Sequence, residues 1–226
     1  MCAACLDDPT HDAAADAAFA RDLAREATSL ARRRAAAGTL GPATAALAEA
    51  LMATRRLGLD ADAPEHHALL AAWVEIALAE RTPHALDRVH YEICRSPVRP
   101  RAFEHLAALV RAALAARSGG DRGLALADAV EPFDDVGLEL CRQGVRVLAA
   151  RRTSLAREEA VVESIAPWVA AQEDPRARDE LLEWRARLRY RQSRFFESAT
   201  LYDAGARDDA SPQRRLGALT GAASRS

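Results

Sequence analysis

Three constellations in this sequence contain residue types that can do chemistry. The first is Cys2-x-x-Cys5 with His11 close behind, where two thiolates three residues apart could share one zinc ion. A tetrahedral site needs a second ligand pair, and only the isolated Cys94 and Cys141 remain to supply it. Residues 1–11 also lack apolar periodicity, so they read as a flexible N-terminal tail without metal. The second constellation is Asp134, Asp135 and Glu139, a DDxxxE spacing whose carboxylates could hold magnesium bound to a diphosphate. No second acidic motif accompanies it, and at 5% aromatic residues the chain has little with which to line a cavity for a carbocation. Asp134 and Asp135 therefore read as caps of the next helix. The third is the histidine set at 66, 67, 84, 90 and 105, in which His90 and Cys94 fall four apart on one helix face. No carboxylate completes a metal set there, and Glu104-His105 lacks the second histidine of a zinc-protease helix. These side chains are expected to be ordinary half-buried helical histidines.

The remaining composition narrows the chemistry further. All 31 basic residues are arginine, which excludes a Schiff-base lysine and a phosphate-binding glycine loop ending in lysine. No serine, cysteine or threonine sits in a recognisable nucleophile motif. We therefore expect no catalytic residue, no cofactor and no metal, with a helical enzyme of dispersed site residues as the least favoured reading.

Net charge is −2, which gives the whole chain no electrostatic footprint for nucleic acid. Its distribution is uneven: residues 1–140 hold 15 Arg against 21 Asp and Glu, and residues 141–226 hold 16 against 12. The basic excess centres on the string Trp184 to Arg194. There Arg187, Arg191 and Arg194 fall on one side of a helix, Arg185 and Arg189 on another, and Tyr190 between them. Forked guanidinium donors beside rigid aromatic area suit an acidic or C-terminal peptide. Trp184, Arg187, Tyr190 and Arg191 are thus the expected partner-binding residues. Trp184 has a second reading, because it also lies on an apolar stripe. The alternative for the whole string is a solvated helix face.

The elements that must position these residues are helices. An Ala- and Leu-rich chain with few β-branched runs predicts an all-α fold. The clearest unit is residues 174–206. Asp174 is a natural N-cap, Pro175 suits the first helical position, and Ala177, Leu181, Trp184 and Leu188 draw one apolar stripe. Gln192-Ser193 interrupts the pattern, Ser193 is expected to cap a second helix, and Phe195, Ser198, Tyr202 and Gly205 mark where that helix meets the first. Similar hairpins precede it. One helix from Asp12 to about Ala37 carries Phe19, Leu23, Ala27, Leu30 and Ala31, ends at Gly38, and is followed by a partner opened by Pro42 and closed by Gly58. Others open at Pro64, Thr82-Pro83 and Pro100, with Asp121 expected to cap a short helix after Gly119-Gly120. Two more start at about Asp135 and at Ser154, and Pro167 is expected to kink or break the second of these. Ser211-Pro212 is expected to start a final capping helix.

First-helix starts at 64, 100, 135, 175 and 211 are 36, 35, 40 and 36 residues apart. Second helices share a register of turn residue, small residue and two contact residues: Gly38, Ala43, Leu47 and Ala50; Gly120, Ala125, Ala129 and Pro132; Ser193, Ser198, Tyr202 and Gly205. The string from Gln192 to Tyr202, and more faintly Gly120-Asp121-Arg122 with Ala125, resembles the turn and second helix of tetratricopeptide repeats, whose period is about 34 residues. Ser198 stands where those repeats usually carry alanine. The resemblance implies a right-handed α-solenoid of about five helical hairpins plus a C-terminal capping helix, as a single domain over residues 12–223. It also implies a peptide or protein partner in a concave groove lined by first helices.

The function expected is therefore a non-catalytic protein-protein interaction module or adaptor. The alternative is a regulatory helical-repeat domain acting in bacterial transcription or signalling, although such domains usually share a chain with a DNA-binding or kinase domain. No stretch approaches the roughly 18 consecutive apolar residues of a membrane span, and the acidic N-terminus has no basic leader. A cytoplasmic protein with reduced cysteines, binding neither membrane nor nucleic acid, is expected. Oligomeric state is not legible.

Overall fold

A computed structural model of the chain describes residues 13–80, 82–95 and 100–206. Among the described residues there are ten α-helices and no strand: α1 Ala13–Ala36, α2 Leu40–Arg56, α3 Pro64–Glu80, α4 Pro83–Arg95, α5 Arg101–Ser118, α6 Asp121–Asp128, α7 Val136–Thr153, α8 Leu155–Ala170, α9 Pro175–Arg191 and α10 Phe195–Ala206. The all-α class expected from composition is the observed one. Connectors of one to three residues join α1 to α2, α3 to α4, α5 to α6, α7 to α8 and α9 to α10, whereas four to seven residues separate one pair from the next. The Cys2-x-x-Cys5 tail with His11 and the capping helix expected from Ser211-Pro212 lie outside the described residues.

Local chemistry sets most boundaries. Thr82 Oγ1 accepts from the Ala85 amide at 3.2 Å, Asp135 from Leu138 at 2.9 Å, Ser154 from Arg157 at 3.1 Å and Asp174 from Arg176 at 2.9 Å. Each satisfies one of the orphan donors of a helix N-terminus. Three helices end on the same two bonds. After α1, Gly38 N–H donates to Ala35 O and Thr39 N–H to Arg34 O; after α2, Gly58 donates to Arg55 and Leu59 to Thr54; after α9, Ser193 donates to Tyr190 and Arg194 to Arg189. This is the Schellman pattern, which requires a left-handed residue just past the helix. Gly38 (φ 80°), Gly58 (φ 77°) and Ser193 (φ 62°) hold that position.

Several boundary expectations are corrected. Ser193 does not cap α10, since its left-handed backbone spends it on terminating α9. Asp121 is the first residue of α6 and the cap position is Gly120, which has no side chain to accept a bond. Pro42 lies inside the first turn of α2, which starts at Leu40. Pro167 does not break α8, which continues to Ala170. Pro167 and Glu163 are both exposed, so the carbonyl deprived of its partner faces water.

The chain divides into two compact units, Met1–Val110 and Arg111–Ser226, with the boundary inside α5. In the first, α1 packs on α2 and α3, α2 on α3, and α3 on α4. Leu47, Leu51, Leu69, Leu70, Trp73 and Leu86 form its fully buried centre. α1 joins it through Ala20, Ala24, Ala27, Thr28 and Ala31 rather than through its larger residues, so Phe19, expected on the buried side, is 60% exposed. Ala27 and Ala31 are the expected stripe residues, with Leu23 and Leu30 half-buried, and small side chains at these steps let neighbouring backbones approach closely.

In the second unit α6 packs on α7, α7 on α8 and α9, α8 on α9, and α9 on α10. Gly123 of α6 lies so close to α5 that an added Cβ would stand 3.0 Å from the Ala115 carbonyl oxygen. Glu139, buried at the start of α7, organises the loop before it. It accepts from Arg142 Nη2 at 2.7 Å and Nε at 2.8 Å, from Gln143 at 2.5 Å and from the Phe133 amide at 3.0 Å, while Arg142 also donates to Val130 O at 3.2 Å. Burial alone would raise the Glu139 pKa, but these hydrogen bonds hold it below the ordinary glutamate range.

Candidate interaction surface

The four residues expected at a partner site all lie on α9, and its packing separates them. Asp174 caps the helix and also receives the Arg176 guanidinium, which keeps its carboxyl below the ordinary range. Pro175 fits the first turn, where no amide donor is needed. Ala177, Leu181, Trp184 and Leu188 are then buried as the stripe predicts. Trp184 is a core residue, 8% exposed and facing Gly144 of α7.

Five of the six arginines of α9 pair with carboxylates of this same unit. Arg187 pairs with Glu183 one turn earlier, Arg185 with Glu163 of α8 at 2.7 Å, and Arg189 with Glu159 of α8 at 2.8 Å. The Arg189 hydrogen bond holds the Glu159 carboxyl below its usual value. Arg191 pairs with Glu158 of α8 and reaches the Arg151 carbonyl of α7, while Arg151 Nε lies 3.3 Å from the same glutamate. The Glu158 side chain is only 1% exposed. Burial pushes its pKa above the ordinary range, against the opposing pull of Arg151 and Arg191. Arg191 thus links three helices.

Tyr190 is different. It is 58% exposed, and its ring meets Phe195 edge-on with centroids 5.2 Å apart. Phe196, next in sequence to Phe195, is 70% exposed. Ser198 and Gly205 are buried, as expected where α10 meets α9, and Phe195, although 45% exposed, also meets α9 through Tyr190. Sequence reasoning placed Phe195 at the helix contact, which its ring makes with Tyr190, but missed that Phe195 and Phe196 are also exposed. Phe196 lies two positions before the inward-facing Ser198 and so on the other side of α10, whereas Phe195, three positions before it at the helix start, lies on the Ser198 side against Tyr190.

The other constellations are occupied structurally. Of the DDxxxE run, Glu139 belongs to Arg142 and the Phe133 amide, and Asp135 caps α7. Cys94 Sγ lies 3.6 Å from His90 Nε2. His66 is buried edge-on against Phe103, its Nδ1 3.3 Å from the Asp60 carbonyl, and its pKa is lowered chiefly by burial. Among the described residues no group of three or more His, Cys, Asp or Glu could hold a metal ion. No helix among them is long and apolar enough to cross a membrane. Compared with family models, characterised proteins and solved structures, the chain matches none.

Proposed function

We propose that this chain is a non-catalytic protein-protein interaction module, built as a tetratricopeptide-like α-solenoid of five hairpins, whose α9–α10 hairpin docks a protein partner. The observation that carries it is the exposed ring pair Tyr190 and Phe195, with the exposed Phe196 next in sequence, at the α9–α10 turn. Exposed aromatic rings that hold each other edge-on, as Tyr190 and Phe195 do, have the composition of interface hot spots and cost little entropy to bury.

The solenoid part of the reading is supported by the alternation of short and long connectors and by helix neighbours two apart. α1 meets α3 and α7 meets α9, as first helices do in stacked hairpins. Arg55 of α2 donates to Glu92 of α4 at 2.7 Å, an equivalent link between second helices. In this reading Tyr190 remains the central contact, Arg187 adds a half-buried paired cation at its edge, and Trp184 and Arg191 hold the hairpin in shape.

Affinity purification from the native host with the wild-type chain and with a Tyr190→Ala/Phe196→Ala variant tests the proposal. A partner retained by the wild type and lost by a variant of unchanged circular dichroism is the expected result. Equal recovery of every partner by both would remove this surface from consideration.

A further inference from the structure

We propose that His90 and Cys94 are half of a tetrahedral zinc site whose other two ligands are the thiolates of Cys2 and Cys5. This goes beyond the α9–α10 surface and does not depend on it. His90 and Cys94 stand four apart in α4, so both side chains leave the same helix face, the spacing by which helical metal motifs bring two ligands to one ion. Cys94 Sγ lies 3.6 Å from His90 Nε2. A zinc ion with a Zn–S bond of about 2.3 Å and a Zn–N bond of about 2.0–2.1 Å at the tetrahedral angle needs these two atoms about 3.5 Å apart. The pair is therefore already set along one edge of the tetrahedron. Both residues are half-buried, which leaves an ion a way in from solvent.

The same separation suits a weak S–H···N hydrogen bond, and the rest of the sequence favours the metal. Two ligands do not hold a structural zinc, and among the described residues no third His, Cys, Asp or Glu joins this pair in a group that could hold a metal ion. Cys2-x-x-Cys5 supplies the two that are missing, and C-x2-C followed by H-x3-C repeats the paired ligand spacing of structural zinc sites. Positions 2, 5, 90 and 94 all belong to the first compact unit, whereas Cys141, on α7, belongs to the second. Taken separately each pair is an incomplete site, and each lacks what the other holds. This reverses the expectation of a tail without metal.

The fold puts Cys94 at the end of the first unit from which the chain enters α1. α1 and α2 form a hairpin, so the last turn of α2 lies towards the start of α1. Arg55 in that last turn donates to the Glu92 carboxylate at 2.7 Å and to the Glu92 carbonyl at 3.0 Å, which fixes the last turn of α4, with Cys94, at the same end. α1 packs on α3 and α3 on α4, two interaxial steps of roughly 8–10 Å each. The seven residues 6–12 that join Cys5 to α1 can span about 25 Å. The connection is long enough for Cys2 and Cys5 to share an ion with His90 and Cys94.

The full-length protein, reduced and stripped with a chelator, should be titrated with cobalt(II) and then with zinc(II). One ion per chain is expected, with thiolate-to-cobalt absorption of the intensity of three thiolates, and zinc should displace the cobalt. Loss of an outer-shell partner alone costs about 10–100-fold in metal affinity, so loss of a ligand should cost at least about tenfold. Cys2→Ser/Cys5→Ser and His90→Gln should each weaken zinc binding by that much, and Cys141→Ser should leave it unchanged. The first variant alters no residue of the ten helices and so keeps the test decisive even where His90→Gln fails to fold. Absence of a stoichiometric ion, a cobalt spectrum of fewer than three thiolates, zinc held equally by either folded variant, or its loss in Cys141→Ser would overturn the proposal.

Discussion

Replacing Arg191 by Ala tests whether the basic string of α9 is structural or free. Arg191 and Arg151 are the two cations at Glu158, a carboxylate 1% exposed between α7, α8 and α9. Leaving a fully buried charge unpaired costs about 3–5 kcal/mol. Here the Arg191 side chain is 34% exposed and Arg151 stays 3.3 Å from the glutamate, so screening and the second partner reduce the expected loss to about 1–2 kcal/mol at neutral pH. That is a fall of about 2–8 °C in Tm for a chain of this size. The pH dependence gives the sharper signature. Burial already raises the Glu158 pKa above 4.5, so the folded state prefers its protonated form, and this contribution to stability is lost as pH rises through the folded value. Removing Arg191 raises that value further. The loss should therefore be largest near neutrality and shrink as pH falls towards 4.5, the ordinary glutamate value. Urea unfolding followed by circular dichroism at about pH 7.5 and about pH 5 measures both, and Glu158→Gln in the Arg191→Ala background should recover most of the loss. Arg187→Ala, which breaks a pair within one helix, should cost only about 0.3–0.5 kcal/mol. An Arg191→Ala protein as stable as its parent, or one whose deficit grows on acidification, would refute the structural assignment.

Ser193→Gly should stabilise by about 0.5–1 kcal/mol in the same unfolding assay, because φ 62° strains a residue with a Cβ and the equivalent positions after α1 and α2 are glycine. Trp184→Ala should cost about 3–5 kcal/mol in that assay as a core truncation. His66, held below 6.5 chiefly by burial with help from Arg55 and His67 against Asp60, contributes stability that is full above 6.5 and lost as pH falls through that value towards its folded one; His66→Gln should flatten this part of a Tm-versus-pH profile.

The sequence carried more about helices than about faces. Caps and breakers act within a few residues of themselves, so Thr82, Asp135, Ser154, Asp174 and Gly38 placed their boundaries correctly. The α9 stripe was legible too, because Leu181, Trp184 and Leu188 have no larger competitor on another face. On α1 the pattern held in part: Ala27 and Ala31 are buried and Leu23 and Leu30 half-buried as expected, but Phe19 is exposed and the buried face extends instead to Ala20 and Ala24, where close packing against α2 and α3 favours small side chains. How far a stripe is buried depends on the neighbour, and the neighbour is a long-range fact. Ser193 was misread for a related reason: serine favours N-caps by propensity, but the bonds of Ser193 and Arg194 back to α9 fix its backbone in the left-handed region.

Charge was the least legible quantity, and the reason bears on where partners can bind. The basic excess after residue 140 drew attention to α9, but within residues 141–206 it is only 12 Arg against 10 acidic residues. The glutamates of α8 stand opposite the arginines of α9, so Arg185, Arg189 and Arg191 all find partners across that helix interface. Net charge counts such pairs as zero and a run of arginines counts them as a patch; neither reports which donors are left over. That residue is set by helix pairing. It leaves aromatic area exposed at the α9–α10 turn. A surface that recognises partners in this chain is therefore to be sought where intramolecular pairing is incomplete, not where like charges are most concentrated along the sequence.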